Sequence, residues 1–171
     1  RFPFDQLTIT EASIVSSLHY NVGYPPKVRW CFRISIEPIE LGDNAAYPDL
    51  ETTVESGFSF DELELEIQNW HQLAQTFEFS GSQNGSFYVT SAHNPVDVVK
   101  LEIRSAGATE FDIAATALFQ FEFEQSGYED GVVQIAFRAR YEGFGFAIPT
   151  WNDPASVLPK EYGVPSMEAE W

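Results

Sequence analysis

Three long stretches of this chain alternate apolar and polar residues one by one, and that period of two commits it to a β-rich fold. Residues 28–37 put Val28, Trp30, Phe32, Ile34 and Ile36 on one face, with Arg29, Arg33, Ser35 and Glu37 on the other. Residues 110–124 set Phe111, Ile113, Ala115, Ala117, Phe119, Phe121 and Phe123 against Asp112, Thr116, Gln120, Glu122 and Glu124. Residues 132–142 face Val133, Ile135, Phe137, Ala139 and Tyr141 inward. Successive side chains of a strand point to opposite sides, so each stretch reads as a half-buried strand. The turn-rich connection from Ser126 to Gly131 makes the last two an antiparallel hairpin.

Weaker signals add strands near 7–11, 13–20, 76–80, 86–91 and 97–104, the last with Val99, Leu101 and Ile103 on one side. Asn84-Gly85 lies between two of them and predicts a second hairpin. One segment departs from the pattern. Leu63, Ile67, Trp70 and Ala74 form a helical stripe, and Asp61 with Glu64 resembles a capping box. An amphipathic helix near 61–75 is therefore expected, with the alternation of Leu63, Leu65 and Ile67 as the competing strand reading. The expected class is α+β, mainly β: a twisted antiparallel sheet, curled or two-layered, with one helix packed on it. Residues 1–142 are expected to form one domain. Residues 143–171 carry Pro149, Pro154, Pro159 and Pro165 and read as an extended tail packed on that domain by its aromatics.

Charge narrows the function. The 171 residues hold 26 Asp+Glu against 9 Lys+Arg, a formal charge of −17. Such a chain is a poor match for nucleic acid or for an anionic membrane surface, both of which select basic proteins. Residues 34–99 contain no Lys or Arg but twelve acids. Meanwhile Arg29, Arg33, Lys100, Arg104, Arg138 and Arg140 fall on the polar faces of strands, beside acids such as Asp112, Glu102 and Glu142. Cross-strand ion pairs worth about 0.2–1 kcal/mol each are expected there. The uncompensated acid is then expected on the helix and the 37–66 loop. Glu51, Glu55, Asp61, Glu62, Glu64 and Glu66 are the candidate partner-binding residues, for a basic protein steered in by the field.

Catalytic signatures are missing from the sequence. It contains no G-x-G-x-x-G, P-loop, G-x-S-x-G or H-E-x-x-H pattern. His19, His71 and His93 have no metal-ligand spacing, and the lone Cys31 reads as a packing residue. No enzyme activity, cofactor or metal is expected. Most aromatics fall on inward faces. Tyr88, Trp151 and Trp171 remain as candidate rings for the alternative reading, a carbohydrate-type ligand-binding or structural β-module of a larger assembly.

Within Phe58–Leu73, the spacing of Phe60, Leu63, Ile67, Trp70 and Leu73, followed by a hairpin and long alternating strands, resembles small immunity proteins of bacterial toxin systems. The resemblance covers about residues 60–140. It implies a helix laid on an antiparallel sheet, and a cytoplasmic, acidic, non-enzymatic protein that neutralises a toxin by masking a basic cleft. It transfers no catalytic residues.

Overall fold

The computed structural model describes residues 2–19, 27–41, 53–54, 57–81, 84–89, 92–122 and 127–147. Ten strands are present among them: β1 (Ile9–His19), β2 (Lys27–Ile36), β3 (Ile39–Glu40), β4 (Thr53–Val54), β5 (Phe58–Leu63), β6 (Thr76–Glu78), β7 (Gly85–Val89), β8 (Ala92–Ser105), β9 (Glu110–Phe119) and β10 (Gly131–Ala147). Seven of them close into a barrel in the order β1-β2-β5-β7-β8-β9-β10, with β10 returning to β1. β6 adds to the edge of β8 beyond the stretch that pairs with β7. β3 and β4 form a separate ribbon. Every pairing is antiparallel except the closing one, β1 with β10. The mainly β expectation holds, and the curling goes all the way to closure, which removes most exposed sheet edges.

The alternation read from the sequence sets the two faces of the wall. Trp30, Phe32, Ile34, Phe111, Ile113, Ala115, Ala117, Phe119, Ile135, Phe137 and Ala139 are all buried. Two rings of aromatics close the ends. At one end Phe2 stacks on Phe121 at 5.1 Å, and Phe4 meets Phe119 edge-on at 4.9 Å. At the other, Trp70 stacks on Tyr141 at 5.6 Å, and Tyr141 shares a 2.9 Å hydrogen bond with the buried Ser16. The barrel is thus filled by its own side chains.

The expected helix at 61–75 does not form. Phe58–Leu63 is strand, and the only helical turn in this region is the 3-10 turn Trp70–Gln72, capped by Asn69 rather than Asp61. The cause is a β-bulge. Trp30 pairs with Leu63 but Phe32 pairs with Phe60, so Asp61 and Glu62 together face Cys31, with Glu62 at φ 51°. The extra residue shifts the buried set from Phe58 and Phe60 to Leu63, Leu65 and Ile67. That slip leaves Phe60, Leu63 and Ile67 at spacings of three and four, which imitate a helix.

Other expectations change: the strands expected near 7–11 and 13–20 are the single β1, and the strand read over 110–124 ends at Phe119. A bulge between Val98 and Lys100 turns Val99 outward, to 44% exposure, while Val98 and Leu101 stay inside. Asn84-Gly85 does not join β6 and β7 as a hairpin, because β6 pairs with β8 and β7 with β5 and β8. Gly85 serves close approach instead: a Cβ there would lie 2.6 Å from the Ser59 carbonyl oxygen. Finally, the strand expected to end at 142 continues to Ala147, held by the parallel pairing of 143–147 with Val15–His19.

Candidate functional site

The acidic candidates separate into three groups. Glu51 and Glu55 lie outside the described residues. Glu62 and Glu64 are exposed but already partnered. Arg29 reaches Glu62 at 2.8 Å and Glu64 at 3.0 Å, and Lys27 reaches Glu64 at 2.6 Å. The hydrogen bond from Lys27, helped by Arg29, holds the Glu64 carboxyl below its ordinary range. The outward placement of Arg29 is as expected, but its partners are the bulged strand's acids rather than those of the neighbouring wall. Elsewhere Arg138 pairs across strands with Asp112 as expected, whereas Lys100 pairs with Glu102 of its own strand and reaches across to Glu78 of β6 only at 4.0 Å. Of the six candidates, only Glu66 is described, exposed and outside any ion pair among the described residues.

Asp61 is the third case. It points from the bulge into a polar row across four strands. Its Oδ2 accepts from Ser59 Oγ at 3.0 Å and from Ser86 Oγ at 2.8 Å, and its Oδ1 faces Cys31 Sγ at 3.6 Å. His93 Nε2 lies 2.9 Å from Ser86 Oγ. The row has the residue types of a hydrolytic site but the wrong order. In a triad the carboxylate orients the histidine, whereas here it accepts the serine's hydrogen bond, so the ring donates to Ser86 rather than deprotonating it. The row braces the bulge. Burial first, then the Asp61 carboxylate, pushes the Cys31 thiol up. The thiolate is the reactive form, so Cys31 is expected to react with iodoacetamide at pH 7.5 more slowly than a free thiol. Asp61→Asn is expected to speed the reaction, and equal rates in the two chains would show that the carboxylate does not control the thiol.

Of the alternative ligand rings, Tyr88 is 50% exposed, with its ring 5.1 Å from that of His93. Trp151 and Trp171 lie outside the described residues. The histidines do not converge: His19 bonds Ser17, His71 packs on Trp70 and His93 bonds Ser86. No group of three or more metal-ligating side chains occurs among the described residues.

A feature not anticipated from the sequence is a cleft of about 400 Å³ in the barrel wall. Phe4, Leu7, Ile9, Thr10 and Glu11 line one side, and residues 133–138 the other. It exists because the β1–β10 pairing begins only at Ser13 and Arg140. Before that point the two strands splay. β10 still pairs with β9 through Gly131, and β1 still pairs with β2 through Ile9, so each keeps a partner on one side only. The length of β10, 17 residues against 11 in β1, is the signal that one edge must run on alone. That signal was hidden because 143–147 read as tail. A scan against protein-family models, a search of curated proteins and a search of solved structures each found no match to this chain.

Proposed function

We propose that this chain is a non-enzymatic protein-binding module whose acidic outer surface engages a basic protein partner. One observation carries the reading. The interior is filled by the barrel's own aromatic and aliphatic side chains, and no Asp or Glu among the described residues is buried. The excess negative charge is therefore available outside, where it raises the encounter rate with a cation-rich surface and selects against anionic ones. A toxin is the kind of partner the resemblance over residues 60–140 suggests. Of that pattern the long strands are present, while its helix and its first hairpin are not.

The structure changes which residues test the idea. Reversing Glu62 or Glu64 would place a cation against Arg29 and Lys27 and disturb the wall. Glu37 and Glu66 are exposed and outside the wall's ion pairs among the described residues. The partner is to be captured on the immobilised full chain from source-cell extract at low salt and purified. Glu37→Lys with Glu66→Lys is expected to slow its association several-fold in low salt, with a flatter salt dependence. An association rate that ignores both the reversal and the salt would sink the reading.

A further inference from the structure

We propose that the cleft between β1 and β10 is a strand-acceptor site: a basic extended segment of the protein partner enters it as an additional strand, antiparallel to both walls. The inference deepens the protein-binding reading and rests on it.

The backbone points to the occupant. The amide of Tyr141 donates to the carbonyl of Thr109, the residue just ahead of β9, which makes this the first hydrogen-bonded pair of the β9–β10 ladder. The β9–β10 register runs without a shift from Gly131↔Phe119 to Arg140↔Glu110. Hydrogen-bonded pairs alternate along an antiparallel ladder, so the odd-numbered residues of β10 turn their N–H and C=O groups to β9. The even ones turn theirs the other way, Gln134, Ala136 and Arg138 into the cleft and Val132 just past its lining, where no described strand lies. An open edge of this kind is a template for strand addition.

The side chains narrow the choice further. Ile135 and Phe137 face the interior from β10, and Phe4, Leu7 and Ile9 line the opposite side, so alternate residues of the guest meet apolar groups. Its other residues face solvent beside Glu11, with Asp5 between two lining residues and Glu129 and Asp130 just ahead of β10. The lining cation, Arg138, is held by Asp112 at 2.8 and 3.2 Å. The rim is therefore acidic and suits Lys or Arg on the guest. β1 and β10 run parallel to each other, so one strand between them can be antiparallel to both, the more stable pairing. Proline is excluded at the guest positions that face β10, because their amides bond to that edge.

The test uses the full chain and a blocked heptapeptide, Lys-Val-Lys-Val-Lys-Val-Lys, with Lys-Gly-Lys-Gly-Lys-Gly-Lys as a control of equal charge. Amide exchange is followed by NMR. The valine peptide is expected to slow exchange at Val132, Gln134, Ala136 and Arg138 by about tenfold or more and to leave the odd-numbered amides, already bonded to β9, unchanged. It is expected to bind about tenfold or more tightly than the glycine peptide. Ala136→Pro removes one cleft-facing N–H and no bond to β9, so the chain should keep its unfolding midpoint and lose that preference. N-methylation of the central valine probes the same contact without altering the protein, and Glu11→Lys should weaken the valine peptide. Equal binding of the two peptides, indifferent to Ala136→Pro and to N-methylation, would overturn the strand site while leaving the acidic-surface reading intact. Binding of neither peptide at low salt would count against both. Protection of the four amides in the free chain, as a monomer or as a sedimenting dimer, would assign the cleft to the chain itself or to a second copy and also overturn the proposal.

Discussion

Gly57→Ala is expected to cost about 3 kcal/mol or more of stability, a large share of what a domain of this size holds. A Cβ at position 57 would lie 1.7 Å from the Ile34 carbonyl oxygen, 2.7 Å from its carbon and 2.9 Å from Ser35 Cα. All three are backbone atoms of or adjoining β2, so no side-chain rotation relieves the clash. Relief requires β2 and β5 to separate where Ile34 pairs with Phe58 and Arg33 with Ser59. That junction belongs to the closed ring, and opening it exposes Phe58 and Phe60 together. Overpacking ordinarily costs about 1–3 kcal/mol, and a rigid backbone neighbour puts this site at about 3 kcal/mol or more. Domains hold only about 5–15 kcal/mol in total. Urea unfolding followed by circular dichroism measures the change. Gly81→Ala is the control, because nothing lies within 4 Å of a Cβ there. A Gly57→Ala midpoint equal to that of Gly81→Ala would mean that β2 and β5 do not approach as described.

Phe119→Ala is the second large loss. Phe119 is fully buried, and its ring lies 4.9 Å from Phe4, 5.6 Å from Phe58, 5.6 Å from Phe87 and 6.4 Å from Phe121. It also sits at the last paired position of β9, opposite Val96 of β8 and Gly131 of β10. Removing a buried Phe ring costs about 3–5 kcal/mol, through lost transfer energy and the cavity left behind. Phe119→Leu keeps most of the volume and is expected to cost roughly half as much or less. Chemical denaturation of the two variants separates them. A loss below about 1 kcal/mol for Phe119→Ala would show that this end of the barrel collapses into the space. Because Phe4 lines the cleft and leans on Phe119, the alanine variant should also weaken the valine peptide while it remains folded.

How far the fold was legible depends on the length over which each pattern acts. β2, β9 and the first part of β10 were readable because alternation is a local steric property of extended chain. β5 reads as helix in the sequence because one inserted residue at Asp61–Glu62 breaks the alternation and leaves helix-like intervals. The bulge at Val98/Lys100 misplaced Val99 in the same way. Neither bulge is marked by a residue type that demands it. The outward ion-pairing residues were legible as outward, but their partners were not. Arg29 sits opposite Ser17 on one side, yet its guanidinium goes to Glu62 and Glu64 at the bulge. Of the six acidic candidates, the wall partly neutralises two and the Asp61 row absorbs a third.

The sequence by itself determined that the chain builds amphipathic strands, which residues of each regular strand enter the core, and that the surface carries a large negative excess. Those properties follow from composition and from the two-residue repeat of a pleated strand. Tertiary structure decided which strands are neighbours, where the repeat slips, and that the first long strand meets the last in parallel. It also decided that these two meet only from Ser13 and Arg140 onward. Such pairings join residues more than a hundred positions apart, and many arrangements bury the same apolar faces equally well. The choice among them is made when the ring closes, and the cleft beside the closure is its product.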